Sequence, residues 1–153
     1  MLARELLLFL HLLAAAAWIG GMFTMLFAVR PALAQIDTPP LRLRVMVALL
    51  ERLFAAVAVA IGVLLASGYA VVVLAGGWGA VRWNVHAMSG IALLMIVIFG
   101  YIRLGPFAQL RRAVAAAEWP AGAGRLALIR KLIALNLALG TAVFAVATIG
   151  RAG

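Results

Sequence analysis

The chain has 153 residues, of which 68% are hydrophobic and only 11% are charged, and its formal net charge is +9. A soluble domain of this size needs far more polar surface, so the composition excludes that class and favours an integral membrane protein. The chain contains no cysteine, which excludes disulfides, thiolate metal sites and thiol catalysis.

Four stretches are long and apolar enough to span a bilayer, which takes about 20 apolar residues in a helix. They lie near residues 5–29, 45–75, 82–104 and 126–150. The connections between them are short, which predicts an all-α, membrane-embedded four-helix bundle in which residues 1–153 form a single transmembrane domain.

The segments between the spans also carry local signals. The first helix is expected to end at Arg30-Pro31, and Gly76–Gly79 predicts a short loop between the second and third spans. Residues Phe107–Glu118 predict a short surface helix between the third and fourth spans, ended by a break over Trp119–Gly124. In the fourth span, Asn136 and Gly140 predict a helix-contact seam.

The basic residues are unevenly placed along the chain. Ten lie in or beside the connections that follow the first and third spans, and three lie at the opposite ends of the spans, namely Arg4, Arg82 and Arg151. The positive-inside rule then predicts cytoplasmic basic connections, with both termini on the periplasmic side of a bacterial inner membrane. Topology and contact with anionic lipid headgroups account for the positive charge, so nucleic acid is not expected as a partner.

The only two histidines of the chain, His11 and His86, fall in the first and third spans. An ionisable residue inside a span is energetically costly and marks a functional site by default. His11 lies 19 residues before Arg30, and His86 lies 17 residues before Arg103. At about 1.5 Å per residue the two rings are therefore expected at a similar depth, near the periplasmic surface.

The helical period predicts which residues share a face with each histidine. The first stripe contains His11, Trp18, Met22 and Met25, and the second contains His86, Arg82, Gly90, Leu93 and Val97. Because a lipid-facing position does not favour histidine, both stripes are expected to face the interior of the bundle. Gly90, one turn below His86, would leave room there for a flat group.

Haem b, ligated by one imidazole from each side, is the first use that fits an inward histidine pair. The predicted cofactor site combines His11 and His86 with Trp18, Gly90 and Tyr69, and Arg4, Arg82 and Arg151 could receive the propionates. Tyr69 also suits an anchor at the membrane interface. Such a protein would serve electron transfer or redox sensing, with a redox partner in the membrane or periplasm.

Three alternatives remain open from the residues. Copper could be bound by the two histidines together with Met22, Met25 and Met88, since imidazole and thioether suit this metal. The histidines could instead form a proton relay, or the chain could be a structural subunit without a cofactor. A homo-oligomer is compatible with each alternative.

The sequence contains no catalytic constellation. The four acidic residues lie at the ends of spans or in connections: Glu5, Asp37, Glu51 and Glu118. An enzymatic role is therefore left open, and a redox-active chain would be an oxidoreductase of the b-type cytochrome kind.

The first span resembles the first helix of the copper-resistance protein D (CopD) family, through His11, Trp18-Ile19-Gly20-Gly21 and Arg30-Pro31. Asn136–Gly140 and Gly150-Arg151 resemble the last helix of its short members. The resemblance implies the small four-helix form of a family associated with copper uptake or homeostasis at the bacterial inner membrane.

That family is distantly similar to the HemJ-type protoporphyrinogen oxidases, which are four-helix proteins that bind haem. Those proteins carry a histidine in the first helix, which His11 matches, and a lysine in the third helix, where this chain has His86. The departure argues against porphyrinogen oxidation and makes ligation by two histidines the more natural expectation.

Overall fold

The computed structural model describes residues 2–152, with side chains described for residues 2–150. In chain order the helices are α1 (Leu2–Thr24), a π-helical segment (Met25–Val29), α2 (Arg30–Leu33), α3 (Pro39–Leu74), α4 (Trp83–Leu104), α5 (Pro106–Ala115) and α6 (Trp119–Ala152). Within the described residues, four helical stretches are long and apolar enough to cross a membrane: Leu2–Leu33, Pro39–Leu74, Trp83–Ala115 and Trp119–Gly150. The predicted all-helical class with four spans is confirmed, and the chain is a multi-pass membrane protein.

The first helix does not end at Arg30-Pro31 as the sequence predicted. It continues through the π-helical segment into α2, which ends at Leu33. Proline lacks an amide N–H and its ring clashes with the carbonyl four residues earlier. The π-helical segment ends two residues before Pro31, and the N–H of Arg30, which caps it, donates to the Met25 carbonyl five residues back. This wider turn accommodates the proline without ending the helix.

The start of the fourth span also differs from the prediction. Residues Trp119–Gly124 do not break the chain but form the first turns of α6. Pro120 is tolerated there because the first amides of a helix have no partner within the helix in any case. Gly122 is buried against Leu43 and Leu110, so this segment is held by packing. The predicted loop at Gly76–Gly79 and the short surface helix, observed as α5, are both confirmed.

The bundle consists of two helix pairs. The α1 helix packs along α3, the α4 helix packs along α6, and α6 also touches α1 and α3. The α5 helix lies across one end of the bundle against α6. We call this end, which carries α2 and α5, the basic end. The opposite end, which carries the start of α1 and the turn of residues 75–82, is the histidine end.

A row of aromatic rings joins the two pairs. The ring centroids of Trp18 and Phe99 are 6.4 Å apart, and those of Phe54 and Phe99 are 5.8 Å apart. Phe107 of α5 completes the row, 5.0 Å from Phe54. All three contacts are edge-to-face, which is the geometry favoured by the ring quadrupoles. The α1, α3, α4 and α5 helices therefore meet in one core.

Glycines allow the closest approaches between helices. A Cβ atom added at Gly140 would lie 2.9 Å from the Ile19 side chain and 3.3 Å from that of Met95. One turn away, the Asn136 amide donates to the Met95 carbonyl over 3.1 Å. The predicted seam of Asn136 and Gly140 is thus confirmed, and it holds α6 against α1 and α4.

Gly140→Ala should destabilise the bundle by about 1–3 kcal/mol, because the added methyl group overpacks the contact with Ile19. Gly20→Ala is the matched control, since a Cβ atom at Gly20 meets nothing within 4 Å. This control should be neutral or stabilising, because alanine is the better helix former. Unfolding in mixed micelles measures both variants, and equal effects would contradict the packing described here.

Candidate functional site

The His11 ring is anchored to α3 inside the histidine end. Its Nδ1 atom lies 3.2 Å from the Leu64 carbonyl oxygen and 3.1 Å from Ser67 Oγ. Ser67 is itself buried. The α1 helix therefore meets α3 through a polar contact in an otherwise apolar region.

The hydrogen-bond pattern favours the tautomer of His11 that is protonated on Nδ1. The Ser67 hydroxyl donates to the Val63 carbonyl over 2.6 Å, so its oxygen is left to accept. The Leu64 carbonyl can only accept. Both neighbours of Nδ1 therefore require Nδ1–H, and a neutral imidazole of this form carries its lone pair on Nε2. Among the described residues, no hydrogen bond is made to Nε2.

This arrangement is typical of an imidazole that binds a metal. In such sites one ring nitrogen donates to a carbonyl or a similar acceptor, which fixes the ring and the tautomer, and the other nitrogen binds the metal. Gly68 makes room for the ring, because a Cβ atom added there would lie 3.1 Å from His11 Cε1. The chemistry available at this site is thus ligation by a single, oriented imidazole.

Sequence reasoning missed Ser67 and Gly68. A signal was present, because Ser67 is the only serine or threonine in the second span. It lies two residues before Tyr69, which was expected at the depth of His11. A serine inside a helix commonly bonds to its own backbone, as this one does. The pairing with His11 is therefore visible only in the folded chain.

The predicted orientation of the first histidine stripe is confirmed. His11 is partly buried, and Trp18, Met22 and Met25 are buried in the core. The Trp18 ring packs against Phe99, so its observed contact is with the core. The two methionines likewise belong to the hydrophobic core of the bundle.

The predicted orientation of the second stripe is wrong. His86 and Gly90 are exposed, and Leu93 and Val97 are each 61% exposed. The α4 helix turns its opposite side to the bundle, with Asn84, Met95 and Phe99 buried. The reason is its packing against α6, where the Asn84 side chain fills the space left by Gly150.

His86 lies in the first turn of α4 at the surface. Its ring centroid is 5.7 Å from that of Trp78, with the planes tilted by 40°. Trp78, Trp83 and Tyr69 are all exposed at this end, as in the aromatic belt of a membrane interface. The structure thus places His86 beside interfacial aromatics, whereas His11 contacts α3.

The other residues of the predicted site are spread over the histidine end. Arg4 and Arg82 are exposed, Tyr69 is exposed, and Gly90 faces open space. Met88, the third methionine of the copper alternative, is partly buried. Arg151 lies outside the residues whose side chains are described. Among the described residues, no three of His, Cys, Asp and Glu come together as a metal-binding group.

Comparison of the chain with protein-family models, with curated proteins and with solved structures finds no match. The similarity to the CopD family and to HemJ-type proteins therefore stays a prediction from the motifs.

The tautomer of His11 can be measured directly. In ¹⁵N-labelled protein prepared without haem or copper, the imidazole ¹⁵N shifts should show protonated Nδ1 and unprotonated Nε2 for His11. His86 is the internal reference, because its ring makes no hydrogen bond to any described residue. A protonated Nε2 on a neutral His11 ring would put the lone pair on Nδ1, which faces Leu64 and Ser67, and would contradict the site.

Proposed function

We propose that the protein binds haem b in the membrane, with His11 Nε2 as an axial ligand of the iron. The observation that carries the proposal is the hydrogen bonding of His11 Nδ1 to α3, which leaves Nε2 as the basic nitrogen. Haem b would supply one-electron transfer, so the proposed role is electron transfer or redox sensing. The link to copper homeostasis rests on the family resemblance alone.

The residues around His11 fit an axial ligand. Ser67 and the Leu64 carbonyl orient the ring, as partners of this kind do for metal-bound histidines. Ala14 and Ala15 follow His11 by about one turn and keep side chains small on that part of α1. Arg4 and Arg82 are exposed at the same end, where they are available to pair with the propionate carboxylates of a haem.

His86 is the weaker half of the predicted ligand pair. Because it lies on the exposed side of α4, it would approach a haem from the lipid or from a neighbouring copy, and not from the interior of its own bundle. The proposal therefore rests on His11, and the same experiment shows whether His86 is a second ligand.

His11→Asn is the variant that separates ligation from packing. The asparagine amide can replace Nδ1–H as the donor to Leu64, but it offers nothing in the place of Nε2. We expect the purified variant to fold as the wild type does. Its Soret absorbance per protein should be lower by a factor of at least about ten. His86→Ala is the matched control and should keep its haem.

The other possible results of this experiment distinguish between the alternatives. Loss of haem in both variants would support bis-histidine ligation, with His86 reaching the iron from outside the bundle. Colourless wild-type protein that retains copper after dialysis would favour the copper alternative, in which His11 uses the same nitrogen. Colourless, metal-free protein would leave His11 as a packing contact between α1 and α3, and would contradict the proposal.

We also propose that the histidine end faces the periplasm of a bacterial inner membrane. The support is the excess of arginine at the basic end, which the positive-inside rule assigns to the cytoplasm. Under this orientation a haem at His11 would exchange electrons with a partner in the periplasm or in the outer leaflet.

The orientation is testable because the natural chain contains no cysteine. Gly79→Cys places a thiol in the turn at the histidine end, and Asp37→Cys places one at the basic end. In intact bacterial cells whose outer membrane has been permeabilised, a maleimide that does not cross the inner membrane should label the first variant and not the second. The reverse pattern would invert the proposed topology.

A further inference from the structure

A groove opens at the basic end, away from the histidine site. It lies between the π-helical segment, α3 and α6 and has a volume of about 70 Å³. Its apolar walls are Met25, Leu26, Met46, Leu50, Leu126, Ile129 and Ile133. The charged residues that line it are Arg30 and Arg130. The groove thus combines an apolar floor with two cations brought together from different spans.

The two arginines have no acidic partner within the described side chains. The ion pair found there joins Arg111 and Glu51, with 3.4 Å between Arg111 Nη1 and Glu51 Oε1, and no carboxylate lines the groove. Two unpaired guanidinium groups at one site attract an anion, and guanidinium forms bidentate hydrogen bonds with phosphate.

The π-helical segment forms one wall of this groove. It contributes Met25 and Leu26, and Arg30 follows directly after it. A π-helical turn places side chains at angles that a regular helix does not reach, and such turns are frequent at functional sites. In this chain the turn brings Arg30 to the same groove as Arg130 of α6.

A second groove at the same end differs from the first in its charge. It lies between α3, α4 and α5 and is lined by Arg103, Arg111 and Glu51, among others. There the Glu51 carboxylate neutralises Arg111 and repels an anion. The first groove has two cations and no carboxylate, so of the two grooves its charge is the more complementary to a phosphate.

We propose that the groove at Arg30 and Arg130 binds one anionic phospholipid. The phosphate lies between the two guanidinium groups, and an acyl chain lies along the methionine, leucine and isoleucine side chains. The apolar walls select a lipid over free phosphate, because an acyl chain can lie along them. Basic pockets between membrane helices commonly bind such headgroups. This proposal does not depend on haem binding.

The test compares two lipids with the same acyl chains. The full-length protein, purified in a neutral detergent, is incubated with phosphatidylglycerol or phosphatidylcholine, and bound lipid is counted by native mass spectrometry. We expect one retained phosphatidylglycerol and little phosphatidylcholine. Arg30→Gln/Arg130→Gln should weaken the retention of phosphatidylglycerol about 10- to 30-fold.

Arg103→Gln/Arg112→Gln is the matched control, because it removes the same charge from the same end without changing the groove. This control should retain phosphatidylglycerol as the wild type does. Equal loss in both double variants, equal retention of both lipids, or displacement by millimolar inorganic phosphate would overturn the proposal. Thermal unfolding of each variant shows that any loss of lipid comes from a folded protein.

Discussion

The close approach of helices at glycine governs this bundle. In a bilayer, association of two apolar helices gains little from the hydrophobic effect, because the lipid is as apolar as the helix surface. Tight packing and a few hydrogen bonds decide which faces meet. Gly140 lets Ile19 and Met95 approach α6, Gly21 does the same for Leu53, and the Asn136 amide fixes the register of α6 on α4.

The need of a polar ring for a hydrogen-bond partner explains why one histidine is inside and the other is outside. An imidazole within the apolar region needs a polar partner, and α3 supplies it through Ser67 and the Leu64 carbonyl. His86 lies beside Trp78, in the exposed aromatic region, where an exposed polar ring is tolerated. The hydrogen bonding that gives His11 Nδ1 a polar partner also orients the ring. The structural role of His11 and its proposed role as a ligand therefore depend on the same contact.

The two ends of the protein carry different chemistry. The histidine end presents an oriented imidazole and several exposed aromatic residues. The basic end presents two arginines beside an apolar groove, and neither has an acidic partner among the described side chains. The aromatic row from Trp18 to Phe107 lies between them and contains no charged group. The proposed redox site and the proposed lipid site are therefore separate and can be changed independently.

The sequence by itself determined the four spans, the basic end and the inward stripe of His11, because length, charge and a lone ionisable residue act locally. It could not determine the face of α4. A helix in lipid is apolar on all sides, so hydropathy does not separate its buried face from its exposed one. Only the tertiary structure decided this, through Asn84 against Gly150 and Met95 against Gly140. The partner of His11 was likewise undetermined, because Ser67 joins it across 56 residues of chain.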